Sequence, residues 1–183
     1  MITKIEKISQ IPTESVINKT SHSLFIIDEK QKNFPFQDLL KNKLKRIGKN
    51  MNDLKKTSIT TELKGGGIIC WVMASENLNL FQCHTLLRKS LASLFNEKPT
   101  SISIFCKVEN KILKLWIEAA TYVVLVNTSR LPSYKKDNKH SSLKNLKLYG
   151  ANSSVDANTI SSIAQGNILT RELTITPPNN LTP

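Results

Sequence analysis

The sequence predicts an α/β fold, a three-layer α/β/α sandwich built around a mixed sheet. Three observations lead there. Short apolar runs such as Leu24-Phe25-Ile26-Ile27 and Ile102-Ser103-Ile104-Phe105-Cys106 have the pattern of strands covered on both faces. Residues 36–47, 80–94 and 112–126 carry apolar side chains at helical spacing. The two kinds of segment alternate along the chain, as they do when helices cover both faces of a sheet.

Taken in order, Ile2, Ile5 and Ile8 suggest an edge strand over residues 1–8, and residues 23–28 form the next strand. Pro35 suits the first turn of a helix running to about residue 49, because the missing amide costs nothing there. Phe36, Leu39, Leu40, Leu44 and Ile47 face inward in this reading, and Lys41, Lys43, Lys45, Arg46 and Lys49 outward. Residues 58–63 and 68–74 read as a hairpin around Lys64-Gly65-Gly66-Gly67, whose turn requires positive φ. A helix over 79–95 follows, capped by Asn77 or Asn79, with Leu80, Cys83, Leu87, Leu91 and Leu94 inward.

After the strand at 102–106 comes the most hydrophobic segment, 112–126, expected to be the central core helix. A loop with Pro132 and a basic run at 135–140 leads to a strand at 143–149, with Leu146 and Leu148 on one face. Ser153 or Ser154 is expected to cap the last helix, whose Ile163, Ile168, Leu169 and Leu173 lie near one face. Pro177 and Pro178 end it. The predicted order is β-β-α-β-β-α-β-α-β-α.

At 183 residues the chain suits one domain with a substantial core. Its longest apolar run is interrupted by Lys114 and Glu118 and falls short of the roughly 20 residues a membrane span needs. The first residues have no signal-peptide character, so a cytoplasmic protein with no membrane partner is expected. Cys70, Cys83 and Cys106 are odd in number and lack Cys-x-x-Cys spacing. That predicts buried, reduced thiols.

The net charge of +12 has two readings: a surface for polyanions, nucleic acid first, or a solvated lysine-rich surface. The candidate nucleic-acid contacts are Lys41, Lys45, Arg46 and Lys49 in one patch and Lys135, Lys136 and Lys139 in another. Aromatic residues make up only 6% and do not interleave with the basic ones, which argues against a base-stacking platform. His22, His84 and His140 have no chelating spacing, and no Gly-x-Ser-x-Gly elbow occurs. Lys64-Gly65-Gly66-Gly67 precedes a strand rather than a helix, which suits a turn better than a phosphate loop. Glu118 is expected to be paired or to reach solvent rather than to act as a base. No catalytic, cofactor-binding or metal-ligating residue is therefore assigned.

The C-terminal stretch carries a family resemblance. Arg171-Glu172-Leu173 followed by Thr176-Pro177-Pro178-Asn179 and Leu181-Thr182-Pro183 resembles the interdomain junction of leucyl (cytosol) aminopeptidases, typically Ala-Arg-Asp-Leu-Val-Asn-Thr-Pro-Pro-Asn-x-Leu-Thr-Pro. The chain departs from it at Thr170, Glu172, Thr174 and Ile175. Weaker likeness lies at residues 81–92 and at Tyr134-Lys135-Lys136.

The resemblance implies a macro-domain-like N-terminal domain over residues 1–170, with 171–183 starting the linker to a C-terminal catalytic domain. It implies a role in hexamer assembly and active-site access. In the family, two divalent metals (zinc or manganese) serve aminopeptidase chemistry in that other domain. The family's Asn-Thr-Asp-Ala-Glu-Gly-Arg signature is absent here, so no catalytic residue is carried over. The alternatives are a basic nucleic-acid-binding module and a stand-alone macro-like nucleotide-binding domain.

Overall fold

The fold is described from a computed structural model covering residues 3–31, 33–129 and 143–177. Its strands are β1 (Lys4–Ile8), β2 (His22–Asp28), β3 (Ile59–Glu62), β4 (Ile68–Ala74), β5 (Ser101–Lys107) and β6 (Asn145–Tyr149). They form one mixed sheet in the order β1-β6-β5-β2-β4-β3, with β3 antiparallel to β4 and the remaining neighbours parallel. The helices are α1 (Glu14–Ile17), α2 (Gln37–Arg46), α3 (Leu80–Asn96), α4 (Asn110–Thr128) and α5 (Ala157–Ile175), with a 3-10 turn at Met51–Lys55. The predicted α/β sandwich with a mixed sheet is the observed architecture. The short α1 and the 3-10 turn are additions that periodicity cannot resolve, because each is about one turn long.

Strand β2 shows why there are two helical layers. Leu24 and Ile26 point to one face and Phe25 and Ile27 to the other, and all four are fully buried. The first face is covered by α3, α4 and α5, the second by α1, α2 and the 3-10 turn. Helix α4 lies between α3 and α5 and buries eleven residues, among them Trp116, Ile117 and Val124. Burying each such side chain contributes about 1.5–3 kcal/mol before entropy losses. The opposite core is aromatic. Phe25 stacks on Trp71 at 5.0 Å, and Phe105 on Tyr149 at 4.8 Å. Trp71 Nε1 donates to Thr61 Oγ1 at 2.8 Å, so its polar edge is satisfied inside the core.

Helix starts differ from the predicted ones where side-chain chemistry decides. Asn79, not Asn77, caps α3 in a reciprocal pair with Gln82. Asp156, not Ser153 or Ser154, caps α5 by accepting from the Asn158 and Thr159 amides. Helix α2 starts at Gln37 rather than Pro35, since Phe36 is left-handed at φ 61°. The Glu14 carboxylate accepts from the Phe36 amide at 2.7 Å and holds that bend.

Two inward assignments and one shared helix face are corrected as well. Leu80 is 52% exposed, because the capping box turns the first residue of α3 outward. Ile47 is 41% exposed because α2 ends at Arg46. On α5, Ile168 turns toward the protein while Ile163, Leu169 and Leu173 face out. These four therefore do not share one face, and α5 continues unbroken through residue 170 to Ile175.

The glycine turn predicted between β3 and β4 is present, but its glycines do different things. Gly66 has φ 82°, whereas a Cβ on Gly67 would collide with the backbone carbonyl oxygen of Thr20. Gly166, in the interior of α5, has open space where a Cβ would lie. Opposite signs are expected for one substitution. Gly67→Ala should lose about 1–3 kcal/mol because backbone must shift. Gly166→Ala should gain about 0.5–1 kcal/mol from helix propensity. Urea midpoints of the two variants check both.

Candidate functional site

The basic patch on α2 follows from its amphipathic pattern. Leu40 and Leu44 are buried four residues apart, which places Lys41 and Lys45 one above the other on the outer side. Arg46 ends the helix, and Lys49 follows just beyond it with its Nζ 3.5 Å from Thr57 Oγ1. The cations of the last turn also suit the negative end of the helix dipole. Four of the seven candidate contacts, Lys41, Lys45, Arg46 and Lys49, are thus brought together. Lys135, Lys136 and Lys139 lie outside the described residues, as does His140.

Beside this patch an open groove of about 740 Å³ runs along the β3 edge. Lys43 and Arg46 line it from α2, Thr60 and Glu62 from β3, and Ser93 and Glu97 from α3. Two acids in the lining limit its pull on a polyanion. Lys41 and Lys45 on α2 and Lys49 beyond its end are all exposed, and no acid lies among them in sequence from 39 to 52.

In open α/β sheets ligands favour the crevice at the carboxyl ends of the parallel strands. Here that end is bridged by ionic contacts. Asp28, at the end of β2, accepts from the Glu109 amide at 3.1 Å and the Lys30 amide at 3.1 Å. Lys30 pairs with Glu109 at 3.0 Å, and Lys111 with Glu76 at 2.8 Å. The Lys111 ammonium, donating to Glu76, holds that carboxyl below the usual range. Glu118 joins α4 to α5, accepting from the Asp156 amide at 3.1 Å with Lys114 at 4.0 Å. This agrees with its expected paired role.

Among the described residues no three His, Cys, Asp or Glu side chains converge in a way that would hold a metal ion. The acids that come nearest, Asp28, Glu76 and Glu109, are committed to backbone amides and lysines. They do not fit the two metals implied for a catalytic domain. His84 stacks on Tyr122 at 4.8 Å, and burial pushes its pKa down. His22 Nε2 donates to Glu97 at 2.9 Å. Among the described residues no helix is long and apolar enough to cross a membrane.

The class these features define is an α/β domain with a basic helix and, among the described residues, no cluster that could hold a metal ion. No protein-family profile and no curated protein matches the chain. Among solved structures it is similar to a point mutant of tomato leucine aminopeptidase, with a TM-score of 0.60 and 20% identity. That likeness covers 100% of this chain and 40% of the other. It is also similar to the bottromycin maturation enzyme BotP, with a TM-score of 0.55 and 10% identity, covering 90% of this chain and 35% of the other. The chain thus has the fold of a leucine-aminopeptidase-related domain and spans well under half of each of those proteins.

All three cysteines are free and buried, as their apolar neighbourhoods predict. Burial pushes the Cys70 thiol up to about 12 and the Cys106 thiol up further still. The unfolded thiols ionise from about pH 9, while the folded ones stay protonated. The unfolded state then binds fewer protons, so stability is full below that pH and falls as pH rises from about 9 toward 12. The expected loss is roughly 1 kcal/mol per pH unit for each thiol. Chemical denaturation across this range checks the slope. Cys70→Ser and Cys106→Ser should each flatten it.

Proposed function

We propose that this chain is a non-catalytic domain of the leucyl aminopeptidase type, working beside a catalytic domain in assembly and active-site access. The observation that carries this reading is the overlap of the whole chain with 40% of a leucine aminopeptidase. Helix α5 supports it. Ile163, Leu169 and Leu173 are each more than half exposed, just before and within the junction sequence that starts at Arg171. Large aliphatics there are surface for a packed neighbour to remove from water.

In this reading residues 1–170 are the domain and 171–183 begin the linker. The partner is the chain's own C-terminal catalytic domain, which holds two zinc or manganese ions and releases N-terminal residues from peptides. The parent is a cytoplasmic hexamer.

The first test is the coding sequence after Pro183. Continuation into a lysine-and-carboxylate metal motif is the expected result, and a stop codon overturns the in-chain partner. The purified chain should release no product from leucyl p-nitroanilide with added manganese or zinc. Turnover that follows the protein through purification would overturn the non-catalytic role.

A second reading rests on the exposed row Lys41, Lys45 and Lys49 beside Arg46, which suits phosphate backbone contacts without base readout. It predicts retention on duplex DNA at about 0.15 M salt with a steep salt dependence. Replacing the three lysines by glutamine should flatten the log–log salt slope by roughly 0.9 per lost contact. No retention even at low salt would remove this reading.

A further inference from the structure

The helical layer on the aromatic face of the sheet is incomplete. It covers β2, β4 and β3, but over β5, β6 and β1 it reaches only Phe105, Tyr149 and Ile8. The rows nearer the amino ends of these strands are polar. Ser23, Ser103, Lys147 and Glu6 stand side by side across four strands, with Ser101, Asn145 and Lys4 forming the next row. A cavity of about 350 Å³ opens here, between these strands and the end of α1. Lys19, His22, Ser101, Ser103, Lys147 and Tyr149 line it.

Three features set this cavity apart from an ordinary surface dimple. Ser103 is 4% exposed, and its hydroxyl, to which no group among the described residues hydrogen-bonds, keeps access to the cavity. Its neighbour Ser23 is satisfied, sharing a 2.7 Å hydrogen bond with Thr20. The buried side-chain atom that lacks a partner at this cavity is His22 Nδ1, and leaving such an atom unpaired is costly. Lys19 and Lys147 both line the cavity, and neither takes part in an ion pair among the described residues. Lys147 is half-buried on β6. The flanking acids are Glu6, opposite Lys147 across the strand pair, and Glu97, engaged by His22.

We propose that this cavity is a subsite for a phosphate group, either the free ion or one carried by a small molecule. Lys147 and Lys19 would supply the charge, and the Ser101 and Ser103 hydroxyls would donate to the oxygens. Two ammonium groups and several hydroxyls match a dianion with three or more acceptor oxygens better than a carboxylate with two. The volume admits a phosphate and the first atoms of its ester. The cavity lies at the amino ends of the strands, opposite the ion-paired carboxyl-end crevice, and shares no lining residue with the groove beside the α2 patch. It stands independently of the aminopeptidase reading, because it uses none of the residues invoked there.

Amide NMR of the full chain, titrated with inorganic phosphate at constant ionic strength, tests it. Saturable shifts are expected at Ser101, Ser103 and Lys147. Lys147→Gln should weaken binding about tenfold and Ser103→Ala about threefold, while Lys45→Gln on α2 leaves it unchanged. Lys19→Gln, at an exposed position, is the second variant should Ser103→Ala lower stability. Tighter binding of glycerol phosphate identifies an esterified group, and preference for inorganic phosphate identifies the free ion. Both outcomes support the subsite. Shifts that never saturate, shifts confined to residues 41–49, equal binding of acetate, or an unaffected Lys147→Gln would each overturn it.

Discussion

Strand β2 is apolar toward both faces, and the rest of the fold answers that constraint. Leu24 and Ile26 on one side and Phe25 and Ile27 on the other are fully buried, so neither face of the strand can meet water. A central position between β5 and β4 satisfies its backbone, and a helical layer on each face covers its side chains. Neither layer is optional. Exposing either pair would leave two large side chains in water, a loss of about 1.5–3 kcal/mol each. The burial of α4 follows from the same demand. It lies in the middle of the larger layer, which explains an apolar surface extending nearly all round the helix.

The two layers meet this demand unequally. Helices α3, α4 and α5 make the larger core, whereas α1, α2 and the 3-10 turn cover the other face mainly on the β2 side. The polar rows of β5, β6 and β1 are the consequence. Ser103, Lys147 and Glu6 stand where Leu or Val would be expected if a helix lay over them. At the carboxyl ends of the strands the arrangement is reversed. Asp28 ties the start of α4 to β2, and two lysine–glutamate pairs bridge that end. The place where open α/β sheets usually receive ligands is thus given to ion pairs. Lys19, Lys147 and the Ser101 and Ser103 hydroxyls lie at the opposite end.

Helix α5 connects fold to function. Its inner side, with Ile160, Ala164 and Ile168, packs toward α4, and Arg171 donates to the Val126 carbonyl at 3.0 Å. Its outer side keeps Ile163, Leu169 and Leu173 in solvent. A helix with apolar residues on both sides has the character of an element packed between two bodies. This is the physical content of the proposed partnership with a catalytic domain. It also explains why inward positions could not be chosen from periodicity alone: both sides offer aliphatics.

The sequence by itself determined the order of the main strands and helices, because period 2 and period 3.6 patterns are local. It determined the hairpin at Gly65 to Gly67, the burial of the three cysteines and the amphipathic basic helix α2. The junction residues from Arg171 onward pointed to a leucine-aminopeptidase-related domain, and the fold agrees. The alternation of Ser101 and Ser103 with Ile102 and Ile104 was also visible, but it could not say which face would be left open. Tertiary structure alone decided that, since it depends on how far the smaller helical layer extends. It also decided the caps at Asn79 and Asp156, the left-handed Phe36 held by Glu14, and the outward turn of Leu80. Each of these rests on a hydrogen bond or a packing limit set by the folded backbone, which no local pattern encodes.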